Sequence, residues 1–275
     1  MLPASLGTSK PLLPIYDKPL IYYAISSLMV SGIQELIVIT SPSDQESYRR
    51  LLGDGQRFGI QITYMVQKIQ RGIADAFLVA EKEIKNSEVA LVLGDNLFNG
   101  LESVIKVENI STLVGAQIFA YRVSDPKRFG IVDFDLNGKV LSIEEKPLNP
   151  KSSYAIPGLY FYDSQVVDIV KTLSPSARGE LEITDVNKVY LSQGNLNVTV
   201  LPRGTAWLDT GTFTSMHDAS SYVRAVEERE GYKIACLEEI AFKNGWISLD
   251  QLVEISDEFK NSPYGDYLKM VAKGI

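Results

Sequence analysis

Two short runs end in an aspartate where an apolar stretch gives way to glycine and small polar residues. They are Leu91-Val-Leu-Gly-Asp95-Asn96 and Gly204-Thr-Ala-Trp-Leu-Asp209-Thr-Gly211. An acid at the tip of an apolar strand has two common uses. It caps a turn or a helix, where Asp is frequent, or it holds a metal ion. Two such acids far apart in sequence suggest a divalent cation gripped between them. Hard cations such as Mg²⁺ take one or two carboxylates together with substrate phosphate oxygens. The chemistry this pair could serve is therefore phosphate transfer.

Other runs carry matching chemistry. Lys10 sits between Ser9 and Pro11-Leu-Leu-Pro14, on a stiff loop that suits a point charge aimed at phosphate. An exposed turn lysine would look the same. Gln67-Lys-Ile-Gln-Arg-Gly72 follows a predicted strand and precedes a predicted helix. Gln67 offers both a donor and an acceptor, as a nucleobase edge requires, and Gly72 lets the backbone approach a flat ring. In Glu144-Glu145-Lys146-Pro147 the lysine could hold a second phosphate while an acid accepts sugar hydroxyls; a solvated charge run is the other reading. Arg178 lies just before a predicted helix whose first acids, Glu180 and Glu182, suit a helix N-terminus. It could grip a phosphate or sugar oxygen with two bonds, or pair with those acids.

The elements that must position these residues follow from periodicity. Leu36–Thr40, Ile62–Val66 and Val89–Leu93 are strand-length apolar runs. Ser43–Leu52 and Ile73–Ile84 carry apolar residues at helical spacing, and Tyr22–Ser31 reads as a helix closed by Gly32. Uninterrupted apolar strands separated by helices predict a doubly wound, mostly parallel, Rossmann-like α/β sheet, which binds ligands at its strands' carboxyl ends. From Gly115 the pattern changes to strand pairs, Ala116–Arg122, Gly130–Asp135, Lys139–Glu144 and Ile156–Tyr162, the middle two joined at Asp135-Leu-Asn-Gly138 as a hairpin. Helices are predicted over Ser164–Leu173 and Glu180–Ser192, a strand over Asn195–Leu201, and mostly helix over 212–230 and 238–273, broken near Asn261–Tyr264. The organisation expected is an α/β core over 1–230 and a helical C-terminal extension over 231–275. Within the core the pattern divides into 1–114 and 115–211, the strands of the second part inserted antiparallel.

Composition sets limits. The chain has 275 residues, 45% of them hydrophobic and 22% charged, with a net charge of −7. That balance suits a globular enzyme and argues against nucleic acid as the main partner. No apolar stretch reaches 18 residues, so no membrane partner is expected. A single cysteine, Cys236, cannot form an internal disulfide and fits a reducing cytoplasm. His217 is the only histidine, lies in a predicted helix, and reads as structural.

In order along the chain, SKPLLPIYDKP (9–19), LVLGDN (91–96), FGIVDFD (129–135), EEKP (144–147), SARGELEITD (176–185) and AWLDTGT (206–212) resemble the motifs of glucose-1-phosphate thymidylyltransferases, a group of sugar nucleotidyltransferases. The resemblance runs from Met1 to the C-terminus and looks like the shorter bacterial form. It implies coupling of dTTP with α-D-glucose 1-phosphate to give dTDP-glucose and pyrophosphate, by in-line attack without a covalent enzyme intermediate. It implies Mg²⁺ on Asp95 and Asp209, Lys10 at the triphosphate and Lys146 at the phosphate of the sugar. Gln67 and Gly72 would read the thymine edge. Gly130, Glu145, Ile156, Tyr160 and Arg178 would surround the glucose phosphate, with Trp207 lining the pocket. A homotetramer, end-product effector sites and a place in dTDP-rhamnose-type deoxysugar supply are also implied.

Some positions depart from the family pattern. Phe129 stands where tyrosine is common, Lys68 replaces a proline, and Asp75 replaces a frequent glutamine. The opening Met1-Leu2-Pro3 matches a segment that in the family follows an apolar strand and a glycine-rich loop, about a dozen residues by motif length. The expectation is that the sequence given is truncated there, with catalysis weakened by loss of the phosphate-cradling loop. Two other readings keep the motifs: a non-catalytic nucleotide-sugar-binding or regulatory subunit, and a nucleotidyltransferase for UTP or another hexose 1-phosphate.

Overall fold

A computed structural model describes residues 2–105, 113–135 and 137–274. Leu136, inside the predicted hairpin turn, lies outside the described residues, as do Met1, 106–112 and Ile275 within the expected domain spans. The strands begin with β1 (Pro14–Ile15), β2 (Lys18–Pro19), β3 (Glu35–Thr40), β4 (Gln61–Val66), β5 (Val89–Val92) and β6 (Asn96–Asn99). They continue with β7 (Ala116–Arg122), β8 (Gly130–Phe134), β9 (Val140–Glu145), β10 (Tyr154–Ala155), β11 (Leu159–Tyr162), β12 (Leu196–Val200) and β13 (Ala206–Asp209). The helices are α1 (Leu20–Met29), α2 (Gln45–Leu52), α3 (Asp75–Val79), α4 (Glu81–Ile84) and α5 (Val166–Thr172). After them come α6 (Ile183–Ser192), α7 (Phe213–Glu230), α8 (Leu237–Lys243), α9 (Leu249–Glu258) and α10 (Pro263–Ala272).

The chain forms two compact units. One comprises Met1–Tyr64, Leu93–Ile105 and Thr205–Ile275, and the other Met65–Val92 and Lys106–Gly204. The first is closed from three stretches of chain. Its β13 pairs antiparallel with β6, Asp209 opposite Asn96 and Trp207 opposite Phe98. Its core gathers Ile15, Leu20, Tyr23, Leu97, Ala219, Val223 and Ile234. The C-terminal helices belong here: the Asn244 side chain donates to the carbonyl of Met29 at 3.3 Å, and Trp246 seats against Gly59 so closely that a Cβ there would lie 2.6 Å away.

The second unit holds a seven-stranded sheet in the order β5-β11-β7-β10-β8-β9, with β12 also pairing with β7. Strand β11 is buried along its whole length. Tyr162, within it, meets Phe77 edge to face at 5.5 Å and stacks on Tyr190 at 5.6 Å.

The mixed α/β architecture with a sheet core and inserted antiparallel strands matches expectation, but the mix of strand directions differs. In this sheet β12 runs parallel to β7, while the pairs β5–β11, β7–β11, β7–β10, β8–β10 and β8–β9 are antiparallel. An unbroken apolar run reports that both faces of a strand are covered, not its direction, and β11 is an antiparallel strand covered on both faces. Several boundaries also moved: the helix predicted from Glu180 begins at Ile183, and three predicted segments are broken. The run Ile156–Tyr162 is interrupted because Pro157 has no N–H to donate, so β10 pairs with β7 and β8 while β11 pairs with β5 and β7. The segment Ile73–Ile84 bends at Ala80 into α3 and α4. Its stripe nonetheless continues through the bend, since Phe77, Leu78 and Ile84 all pack on one core. The C-terminal stretch breaks at Asn244–Ser248 as well as before Pro263, because Gly245 adopts a left-handed φ of 72° and Ser248 opens α9 with a capping box.

Candidate active site

In the first unit, Asp95 sits in a tight turn, Asn96 N donating to Leu93 O at 3.0 Å, that leads into β6. Gly94 leaves room there for Pro11: a Cβ would lie 3.2 Å from its ring. That fit seats the 3-10 turn Lys10–Leu12 beside Asp95. The Lys10 ammonium donates to Asp95 Oδ2 at 2.7 Å. Asn96 Nδ2 donates to the other oxygen at 2.9 Å, so both carboxylate oxygens are oriented. Asp209 ends β13 directly across from Asn96, and the next residue, Thr210, binds the Asp95 carbonyl through its hydroxyl at 2.8 Å. The two acids found in the sequence therefore share one end of one ladder. Trp207, expected beside the sugar, is buried on β13 and donates from Nε1 to Asn96 Oδ1 at 2.6 Å.

Among the described residues no group of three or more His, Cys, Asp or Glu side chains converges on a metal site. A pair of carboxylates with a lysine alongside does not make a protein-only cage. It does fit a hard cation whose remaining ligands are phosphate oxygens.

In the second unit, Gln67 and Gly72 lie on one loop between β4 and α3. Gly72 has a φ of 102°, and a Cβ on it would stand 2.5 Å from the carbonyl oxygen of Leu181. Only glycine allows this approach. Leu181 N donates to Arg71 O at 2.6 Å and Ala74 N to Leu181 O at 3.2 Å, which ties the loop to the 176–182 segment carrying Arg178. Gln67 Nε2 donates to Asp75 Oδ2 at 2.8 Å.

Glu145 is the hub of a further group in the same unit. It lies opposite Gly130 in the β8–β9 ladder and accepts from the Thr184 hydroxyl at 2.5 Å. Lys146 Nζ is 3.6 Å away and Arg178 is 3.7 Å away. Gly130 keeps the space open, since a Cβ there would meet Glu145 Oε2 at 3.3 Å, Thr184 Oγ1 at 3.4 Å and Ile156 Cδ1 at 3.9 Å. Lys146 holds a left-handed φ of 42°, uncommon for a side-chain-bearing residue, while its N–H donates to Phe129 O at 3.0 Å. Arg178 pairs chiefly with Glu182, at 2.9 Å to each carboxylate oxygen, and that bond raises its pKa. Tyr160 lies in the core, stacked on Tyr162 at 6.2 Å.

The structure thus gathers Lys10, Asp95, Asp209 and Trp207 in one unit and Gln67, Gly72, Gly130, Glu145, Lys146, Ile156 and Arg178 in the other. Sequence reasoning missed Asn96, Thr184 and Thr210, each inside a motif it used but valued for a neighbour. Asp75 stands out in the sequence only as a departure from the family pattern.

Residues 1–226 match the family profile described as nucleotidyl transferase. A glucose-1-phosphate thymidylyltransferase of Mycolicibacterium smegmatis is 52% identical over 97% of this chain and 92% of that one. The enzyme of the same name from Neisseria meningitidis is 50% identical over 99% of this chain and 95% of that one. A Bacillus anthracis crystal structure, described as a glucose-1-phosphate thymidylyltransferase in complex with sucrose, superposes with a TM-score of 0.75 at 38% identity. It covers 82% of this chain and 90% of its own. A UDP-glucose pyrophosphorylase complexed with UDP-glucose shares the fold, with a TM-score of 0.71 at 21% identity over 82% of this chain and 94% of its own.

Proposed function

The chain belongs to the nucleotidyl transferase family, among the glucose-1-phosphate thymidylyltransferases, and from that premise we propose how its residues share the work. The reaction couples dTTP with α-D-glucose 1-phosphate and yields dTDP-glucose and pyrophosphate. An oxygen of the sugar phosphate forms a bond to the α-phosphorus as the bond to pyrophosphate breaks on the opposite side. No enzyme group is covalently modified, so the protein contributes placement and charge neutralisation.

Lys10 sets its ammonium against the triphosphate, braced by its 2.7 Å contact with Asp95. Asp95 and Asp209 hold the divalent cation, Mg²⁺, which when bound offsets phosphate charge. Trp207 and Asn96 keep the Asp95 carboxylate turned for that task. Gln67 and Gly72 meet the base. Lys146 holds the phosphate of the attacking sugar, and Glu145, kept in place by Thr184, accepts sugar hydroxyls in the space that Gly130 leaves open. Ile156 and Tyr160 shape that space, and Arg178, steered by Glu182, reaches the same phosphate or a sugar oxygen. Residues 1–114 then serve mainly the nucleotide and 115–211 the sugar phosphate. The reading extends to a cytoplasmic homotetramer feeding dTDP-rhamnose-type deoxysugar synthesis for cell-wall polysaccharide.

The observation that carries the proposal is the Lys10–Asp95 pair standing at the same ladder end as Asp209. Pyrophosphate release, followed with glucose 1-phosphate, Mg²⁺ and each of dTTP, UTP, dCTP and ATP in turn, tests it. dTTP should be used fastest. No release with dTTP, or faster release with another nucleotide, would overturn the assignment.

A further inference from the structure

An amide side chain can select a base only if its two ends are held in a fixed order, since its oxygen accepts and its nitrogen donates. Gln67 has such a holder. Asp75 opens α3 and is 1% exposed. Its Oδ2 accepts from Gln67 Nε2 at 2.8 Å, and its Oδ1 accepts from the Arg71 guanidinium at 2.8 Å. The Gly72 carbonyl lies 3.5 Å from the same Nε2. A carboxylate offers only acceptors, so the end of Gln67 that faces it must be the NH2. Both protons of that NH2 have acceptors before them, and Gln67 Oε1 is the end left to meet a ligand.

We propose that Asp75 is a positioning residue that fixes the polarity of Gln67, so that the base site takes a ring N–H and rejects a ring-nitrogen lone pair. This rests on the reading of Gln67 as a base contact. The favoured ligand class is a nucleotide with an imide pyrimidine edge, as in thymine or uracil, where N3–H lies between two carbonyl oxygens. In cytosine N3 carries a lone pair, so it would face Oε1 acceptor to acceptor. Selectivity then comes as much from the repelled partner as from the bonded one. An asparagine at position 75 would lift the constraint, because its side chain can offer either a donor or an acceptor to Gln67.

Calorimetric binding of dTTP and of dCTP to the native chain, to Asp75→Asn and to Gln67→Ala tests this without depending on turnover. Comparing the two nucleotides across proteins cancels the contribution of the thymine methyl group. The Asp75→Asn variant should lower the dTTP:dCTP affinity ratio by about tenfold or more, equivalent to about 1.4 kcal/mol. Equal weakening of both nucleotides, or an unchanged ratio, would overturn the proposal and leave Asp75 a structural role. If Gln67→Ala keeps the native ratio, the base-contact reading itself fails. If Gln67→Ala collapses the ratio while Asp75→Asn preserves it, only the role of Asp75 fails. Should Asp75→Asn not fold, the side-chain amide protons of Gln67 in the native chain decide by NMR. Slow solvent exchange with and without dTTP supports the proposal, and fast exchange refutes it.

Discussion

Single residues carry the catalytic argument, and their contacts say what each loss would do. Asp209 closes a strand and Lys146 lies in a half-exposed loop, so neither supports the core. Asp209→Ala and Lys146→Ala should fold as the parent does, by circular dichroism and melting temperature. Each should lose about 10²–10³ in pyrophosphate release, the usual loss when one preorganised charge contact is removed. Near-parental rates in either would remove that residue from the machinery. At this scale the sequence displayed residue types but not their partners. The Lys10–Asp95 pair spans 85 positions and the Trp207–Asn96 bond 111; nothing local marks either. Motif order singles out the run that contains Thr184, yet Thr184 itself, whose hydroxyl holds Glu145, has no signal of its own. Arg178 shows the converse: its local sequence offers Glu182 as a partner four residues on, and the fold displays that pairing plainly.

Secondary elements were legible where one face decides their period. Strand β7 coincides with its predicted span, Ala116–Arg122, and α7 begins one residue after the predicted start. What could not be read was pairing. Whether β11 joins a parallel or an antiparallel neighbour depends on chain routing, which side-chain alternation does not encode. Helix starts were clearer, because caps are local chemistry. Thr212 accepts from Ser215 N at 3.1 Å while Ser215 Oγ accepts from Thr212 N at 2.9 Å, a reciprocal capping box at the start of α7. This cap lies three residues after Asp209, so it orders the strand end as well as the helix. Thr212→Ala should therefore cost about 0.5–2 kcal/mol in urea unfolding. Thr212→Ser, which keeps the hydroxyl, should recover most of that. A loss equal in both variants would show that the hydroxyl is not the source.

Across the whole chain, the least legible feature is a set of buried charges in the first unit, drawn from both ends of the sequence. Lys18 and Glu227 are both almost fully buried and pair at 2.9 Å, with Asp17 and Lys233 completing the group. Burial alone would raise the pKa of Asp17, but Lys18 and Lys233 outweigh it and hold the carboxyl below its usual value. Its contribution to stability is therefore present above about pH 3.9, the unfolded value, and is lost as pH falls through the lower folded value. Glu238 behaves oppositely. It is fully buried, its Oε2 accepts from the Tyr264 hydroxyl at 2.6 Å, and its Oε1 has no partner among the described residues. Burial raises its pKa, so the folded chain keeps this proton to higher pH than the unfolded chain does. By linkage, stability is greatest below the unfolded value of about 4.3 and declines as pH rises through the folded value. Glu238→Gln removes that proton exchange while keeping the shape. At pH 8 the variant should melt higher than the parent, on the order of 2–4 °C if about 1 kcal/mol is recovered in a chain of this size. The gap should narrow as pH is lowered to 5, where Asp17 remains ionised in both proteins and cancels from the comparison. Thermal unfolding of the two proteins between pH 5 and 8 measures this directly. A gap that stays constant, or widens toward acid, would mean that Glu238 folds with its charge intact.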